Sequence, residues 1–210
     1  MMKIKAIIFD CDGVLVDSES ITMKVFIELF AKYGATMTSQ EALDKFVGKA
    51  FNQILDCIEE EYDVELPSDF EDQFRAQTFA AFKTDIQPIE GIKEVLSQLK
   101  LPYAVASNGP MSKMQLNLTT TGLIQYFDHH LYSAYDLKAW KPDPKLFIHA
   151  ATQLGFSPEE CLVIEDSLSG VEAALNGGFQ VMAYVDGAEK EIFNKKGVKT
   201  FDKMMDLLDL

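Results

Sequence analysis

Arginine is almost missing from this chain: Arg75 stands alone among 210 residues, and 19 Lys plus Arg face 33 Asp plus Glu, a net charge of -14. With no basic run anywhere, the charge argues against nucleic acid and against an anionic membrane surface as partners. Cysteine is scarce too. Cys11, Cys57 and Cys161 are odd in number, far apart and without C-x-x-C or zinc spacing, so neither a disulfide framework nor a zinc centre is expected. Such usage fits a reducing cytoplasm. No stretch of 18 apolar residues occurs, and no charged n-region precedes an apolar one, so no spanning helix or signal peptide is expected. His129, His130 and His149 share no motif spacing with each other or with the acids and are read as helix-end or surface residues. Repeats and low-complexity segments are absent. What the chain does have is 48% hydrophobic residues, ample for a core, and a length that suits one domain carrying an insertion. A monomer is expected.

The stretch from Ile4 to Ser18, IKAIIFDCDGVLVDS, organises the rest. Ile4 and Ala6 to Phe9 form a short, partly β-branched apolar run, suited to a central strand buried on both faces. It ends in Asp10 and Asp12, whose side chains, two apart on extended backbone, reach the same small volume. Gly13 then allows a tight turn. An EF-hand loop fails on register, because Gly13 is fourth from Asp10 where that loop needs glycine sixth. Cys11 between the acids is read as a small spacer, since nothing in the sequence near it would lower its pKa.

After Ser18 the periodicity becomes helical. Ile21, Val25, Phe26, Leu29, Phe30 and Tyr33 mark a first helix ending near Gly34, and Thr38 with Glu41 forms a capping box opening a second, to about Phe46. Phe51 to Tyr62 reads as a third, and Pro67-Ser68 with Glu71 opens a fourth carrying Phe70, Phe74 and Phe82. The α/β alternation then resumes: helix 92–99, strand 103–106, helix 114–123, strand 131–133, helix 144–154, strand 162–164, helix 170–176 and strand 181–184. Alternating elements imply a mostly parallel sheet with right-handed crossovers. The expected division is core over 1–18, helical insertion over 19–83 and core over 84–210.

Three later strands end in polar residues. Tyr103 to Ala106 runs into Ser107-Asn108-Gly109, a hydroxyl and backbone N–H groups at a helix start, with Pro110 read as its first residue; such a start grips phosphate oxygens. In Trp140-Lys141-Pro142-Asp143-Pro144, Pro142 stiffens the loop, Asp143 can cap the next helix and Lys141 is left as a rigidly placed cation. Leu162 to Ile164 ends in Glu165-Asp166-Ser167. Two carboxylates side by side repel by about 4 kcal/mol at ~4 Å and an effective dielectric of ~20, so a cation is the economical explanation.

These four strand-end strings, in this order, resemble the signature motifs of the haloacid dehalogenase superfamily of phosphotransferases, and the helical insertion resembles that family's cap. The resemblance implies an α/β fold with a Rossmann-like core, a mostly parallel sheet and an inserted all-helical cap. It makes Asp10 the nucleophile that takes the phosphoryl group as an aspartyl-phosphate, and Asp12 the acid for the leaving oxygen and then the base for water. Mg²⁺ would be held by Asp10, the Asp12 backbone carbonyl and Asp166, with Ser107 and Asn108 on the phosphate and Glu165 orienting Lys141 or a bound water. Mg²⁺ and Lys141 together offset the crowded negative charge. Gly48-Lys49 resembles the family's substrate-reading cap loop, and Lys49 suits an anionic substrate. The implied partner is a small phosphorylated metabolite. The strings at Ser107 to Pro110, Lys113 to Gln115 and Trp140 to Pro144 are most like those of bacterial phosphatases acting on sugar acid phosphates such as 6-phosphogluconate. A sugar phosphomutase of the β-phosphoglucomutase type is the runner-up, and an idle binding protein of the same fold the remote one.

Overall fold

In the computed structural model the described residues are 3–46, 51–127, 129–185, 187 and 189–209. The chain divides into two compact units, Met1–Asp17 with Gln87–Leu210, and Ser18–Ile86.

The first unit is built on β1 (Ala6–Phe9), every residue of which is fully buried. The turn after it leads into β2 (Val16–Asp17), and the chain re-enters from the inserted unit at β3 (Gln87–Pro88). Then follow α5 (Ile92–Gln98), β4 (Tyr103–Ser107), α6 (Met111–Thr120), β5 (Leu131–Ser133), α7 (Ala134–Leu137), α8 (Lys145–Leu154), β6 (Cys161–Glu165), α9 (Leu168–Asn176), β7 (Gln180–Tyr184), α10 (Glu189–Lys195) and β8 (Lys199–Phe201). Among the described residues, six strands form one sheet in the order β5-β4-β1-β6-β7-β8, with every adjacent pair parallel. The chain builds leftward from β1 through β4 and β5, then jumps back to β6 on the other side. Sequence order therefore reverses at β1, and the crevice outside the carboxyl ends of β4, β1 and β6 is where such a sheet takes its ligand. One face is closed by α8 and α9, whose Leu146, Phe147, Ala150, Ala173 and Ala174 pack against Ala6, Ile8 and Val163.

The inserted unit consists of α1 (Ser18–Lys32), α2 (Ser39–Phe46), α3 (Phe51–Tyr62) and α4 (Phe70–Phe82). It has its own aromatic core. Phe26 stacks on Phe74 with ring centroids 3.9 Å apart and Phe30 on Phe70 at 4.8 Å, with Leu29 and Ile58 fully buried beside them. Each such side chain contributes about 1.5–3 kcal/mol by leaving water. The Thr38–Glu41 capping box forms: Thr38 N–H donates to Glu41 Oε2 at 2.7 Å and Glu41 N–H to Thr38 Oγ1 at 3.3 Å.

Several boundaries differ from the sequence reading. The fourth helix starts at Phe70, with Asp69 at the N-cap position but no side-chain cap bond, and not at Pro67-Ser68, since the Pro67 carbonyl instead accepts the N–H of Phe70 in a turn. The helix expected over 114–123 spans Met111–Thr120; Pro110 is its extended N-cap (φ -66°, ψ 150°) and not its first helical residue. Leu123 falls in the turn before a short 3-10 helix over Ile124–Tyr126. No helix among the described residues is long and apolar enough to cross a membrane.

Candidate active site

β1 delivers Asp10 at the switch point. The Asp10 N–H still bonds to the Ile164 carbonyl of β6 at 2.9 Å, so the first acid is fixed to the sheet by its backbone. Beyond it the chain turns on itself, with Leu15 N–H and Val16 N–H both donating to the Cys11 carbonyl at 2.9 and 3.1 Å, while Gly13 takes φ +78°. Cys11 is buried and free; burial and the two flanking aspartates push its thiol well above the usual range, so it stays protonated and inert.

Lys141 lies at the centre of the buried charge. Its ammonium donates to Asp10 Oδ1 and, at 2.6 Å, to Glu165 Oε1, and its side chain is only 2% exposed. Burial alone would lower the lysine's pKa, but the Asp10 and Glu165 carboxylates more than offset that and hold it above the usual range. For Asp10, burial dominates and pushes its carboxyl up to about 7; Lys141 pulls it down, while Glu165 and Asp12 push it further up. The Lys141 backbone is held as well, its N–H donating to Asn108 Oδ1 at 2.9 Å, so the β4 loop and the Lys141 loop are locked together. Ser107 is buried and accepts the Gly109 N–H at 3.0 Å; Ser133 of β5 donates to the Gly109 carbonyl at 2.8 Å.

Glu165 and Asp166 do not crowd each other as adjacent acids at a strand end would suggest. Glu165 Oε2 turns back to accept Asp166 N–H, Ser167 N–H and Ser167 Oγ at 2.9 to 3.0 Å, while Oε1 takes Lys141. Lys141 thus compensates the first acid directly. The Asp166 carboxylate sits where Gly13 has no side chain: a Cβ there would fall inside it. A Cβ on Gly170 of α9 would likewise fall inside the Glu165 carboxylate. Gly170→Ala, which in an ordinary helix stabilises by about 0.5–1 kcal/mol, is therefore expected to lower the melting temperature and to displace Glu165. A thermal melt that rises instead would show that Glu165 is not held as described.

Asp12 contributes the second carboxylate. Its Oδ2 accepts Lys113 Nζ at 2.9 Å, whereas Oδ1 is buried without a hydrogen-bond partner. Lys113, noted from the sequence only within the Lys113 to Gln115 string, and Ser133, not noted as a site residue at all, are neighbours of the site. Gly48 and Lys49, expected to read the substrate, lie outside the described residues.

Mg²⁺ fits this donor set. A hard cation takes oxygen ligands and retains waters; the buried Asp10 carboxylate and Asp166 against Gly13 supply oxygens at the ends of β1 and β6. Among the described residues no group of three or more His, Cys, Asp or Glu is placed to hold a metal ion, so a cation here would take the rest of its shell from main-chain, water or substrate oxygens.

The Ser107–Gly109 loop, the buried Asp10 and the Lys141–Glu165 pair come together at the carboxyl ends of β4, β1 and β6, and residues 7–184 match the haloacid dehalogenase-like hydrolase family model. The chain belongs to that family and is a phosphatase. It is 35% identical over 212 residues to 6-phosphogluconate phosphatase of Escherichia coli strain K12, covering all of this chain and 96% of that protein. Two solved structures superpose with a TM-score of 0.86. One is a haloacid dehalogenase-like protein of Agrobacterium tumefaciens strain C58, 33% identical, with 98% of this chain and 96% of that one covered. The other is a family hydrolase of Deinococcus radiodurans R1 carrying phosphate and sodium, 31% identical, with 97% and 93% covered.

Proposed function

We propose that the protein hydrolyses the phosphate monoester of a small sugar or sugar acid, 6-phosphogluconate being the leading candidate, through an aspartyl-phosphate on Asp10. The carrying observation is Asp10 itself, buried at the carboxyl end of the central strand with its backbone on β6 and its carboxylate on Lys141. The likeness to the Escherichia coli enzyme, whose name gives that substrate, and the phosphate in the Deinococcus neighbour support it.

Asp10 attacks phosphorus. Asp12, two residues on, gives its proton to the leaving oxygen and then accepts one from the water that opens the aspartyl-phosphate. Ser107 and the Asn108 backbone hold phosphate oxygens, and Lys141 stabilises the charge that spreads over them in the transition state. Glu165 keeps Lys141 in place. Mg²⁺ held by Asp10, the Asp12 carbonyl and Asp166 would supply the positive charge that keeps Asp10 ionised beside a phosphate dianion.

Excess chelator is expected to abolish hydrolysis of 6-phosphogluconate and Mg²⁺ to restore it, with Ca²⁺ restoring little because it prefers more ligands at longer distances. Full turnover in chelator would exclude the metal assignment. A screen over phosphorylated metabolites that includes glucose 1-phosphate isomers tests the substrate: isomerisation without phosphate release would replace the phosphatase with a phosphomutase.

A further inference from the structure

We propose that Ser133 is a positioning residue for phosphate recognition, tethering the Gly109 carbonyl so that the Ser107 hydroxyl stays aimed as a donor to a phosphate oxygen. The proposal rests on the hydrolytic reading above and adds to it a residue that acts on the phosphate through the loop without touching it.

The loop leaves β4 at Ser107 and enters α6 after Pro110, and the peptide between Gly109 and Pro110 has little of its own to hold it. Pro110 supplies no N–H, so the carbonyl is the one hydrogen-bonding group of that peptide. The helix does not take it: the α6 ladder begins a residue later, where the Lys113 and Met114 N–H groups donate to the Pro110 carbonyl at 3.0 and 3.2 Å. Ser133 takes it instead, donating at 2.8 Å from the last position of β5, opposite Ser107 in the parallel register. On the other side of the same residue, Gly109 N–H donates to Ser107 Oγ at 3.0 Å. Both serines are buried. Ser133, Gly109 and Ser107 thus form one chain of hydrogen bonds across the ends of two paired strands.

A hydroxyl has one hydrogen and two lone pairs. Gly109 N–H occupies one lone pair of Ser107, which leaves that hydroxyl its hydrogen to donate and limits the directions in which it can do so. The middle residue of the loop is held from elsewhere, Asn108 Oδ1 accepting Lys141 N–H at 2.9 Å. Gly109 has no side chain with which to anchor itself, and a Cβ there would lie 3.3 Å from Ser107 Oγ. Ser133 therefore supplies from β5 what Asn108 supplies for itself. Its oxygen has a second task, accepting Tyr135 N–H at 3.2 Å to cap α7. A cap needs only an acceptor. The cap uses the oxygen and the tether uses the hydrogen, so the two roles are separable.

The test measures KM and kcat on 6-phosphogluconate together with the inhibition constant of inorganic phosphate. Ser133→Ala is expected to raise KM and the inhibition constant in parallel, roughly three- to tenfold, with kcat little changed. Ser133→Thr, which keeps the hydroxyl, is expected to return both. Ser133→Gly caps a helix nearly as well as serine but has no hydroxyl, and is expected to behave as the alanine variant does. Ser133→Cys, a weak donor, serves if the alanine variant fails to fold. KM and inhibition constant unmoved in the alanine and glycine variants overturn the proposal and leave Ser133 as the cap of α7; so does a fall in kcat alone, the mark of fewer active molecules. Calorimetric titration of inorganic phosphate in the presence of Mg²⁺ needs no turnover and separates this from failure of the hydrolytic reading. If the wild type hydrolyses no ester yet binds phosphate more tightly than Ser133→Ala does, the phosphatase assignment fails and the present one stands. Wild type and variant binding phosphate equally, or neither binding it, overturns it.

Discussion

Asp10→Asn is expected to reduce turnover of any phosphate ester by roughly 10⁴-fold or more while leaving the fold intact. The amide has the carboxylate's shape but no anionic oxygen to attack phosphorus, and no other residue at this strand end can replace it. Glu165 shares Lys141 with Asp10 but is held back by Asp166 N–H and Ser167, and Asp12 is bonded to Lys113 and follows the Cys11 carbonyl that closes the turn. Burial pushes the Asp10 carboxyl up to about 7, which means the ionised form is disfavoured in the folded protein without a cation. A neutral amide removes that penalty, so the variant should melt no lower than wild type in chelator at neutral pH, while Lys141 keeps Glu165 as its partner. Loss of turnover with an unchanged or higher melting temperature would assign Asp10 to chemistry. Near-wild-type turnover would remove it from the mechanism.

Lys141→Met is expected to cost about 3–5 kcal/mol of stability, in addition to turnover, and so to be the most destabilising single change at the site. Glu165 is fully buried and Asp10 nearly so. Removing the ammonium leaves both carboxylates without their cation, and Glu165 retains only its bonds to Asp166 N–H and to Ser167. For a chain of this size about 2–4 °C accompany each kcal/mol, so thermal denaturation should move down by roughly 10 °C. Adding Glu165→Gln to Lys141→Met should recover part of that loss, because the second change removes the stranded charge. Arginine is not a conservative replacement here: the ammonium lies 4.8 Å from the centroid of the Phe147 ring, in a space closed by core packing. A melting temperature unmoved by Lys141→Met would mean that the clamp is not the electrostatic centre of this crevice.

How far the site could be read from residues alone follows from range. β1 was legible because a strand buried on both faces is a continuous apolar run, and its end is marked by the change to Asp10. The loops at Ser107 and Lys141 were legible through their local turn chemistry. The Lys113–Asp12 pair was not, since its members are 101 positions apart and nothing local at either end reports the other. The start of α6 escapes the sequence pattern because Pro110 reads as its first residue and the apolar period is counted from Met114, although Met111 stands one turn before Met114. The apparent crowding of Glu165 and Asp166 misled for a related reason. Adjacent acids read as a shared volume, whereas the chain's turn into α9 sends one back onto backbone N–H groups and Lys141 and the other towards Gly13. Two-residue strands such as Val16–Asp17 and Gln87–Pro88 hold too few positions for any alternation to register.

That small ribbon has a consequence for how the molecule assembles. Val16 pairs with Pro88 and Asp17 with Gln87, antiparallel, so the chain leaves the sheet-bearing unit and returns to it through neighbouring residues. The central sheet needs β1 beside β4, with Ile7 opposite Tyr103, across the whole inserted unit. A disordered excursion of that length would add to the entropy of closing the contact, although each doubling of loop length adds only about 0.6 kcal/mol. Once the helices have condensed on their own aromatic core and the ribbon has clasped their two ends, the excursion counts as a short turn. Early ordering of the inserted unit would then speed sheet formation, and replacing Ser18–Ile86 with a tight turn should leave a core that still folds. The ribbon is thus a point at which recombination can exchange one insertion for another without rewriting the sheet.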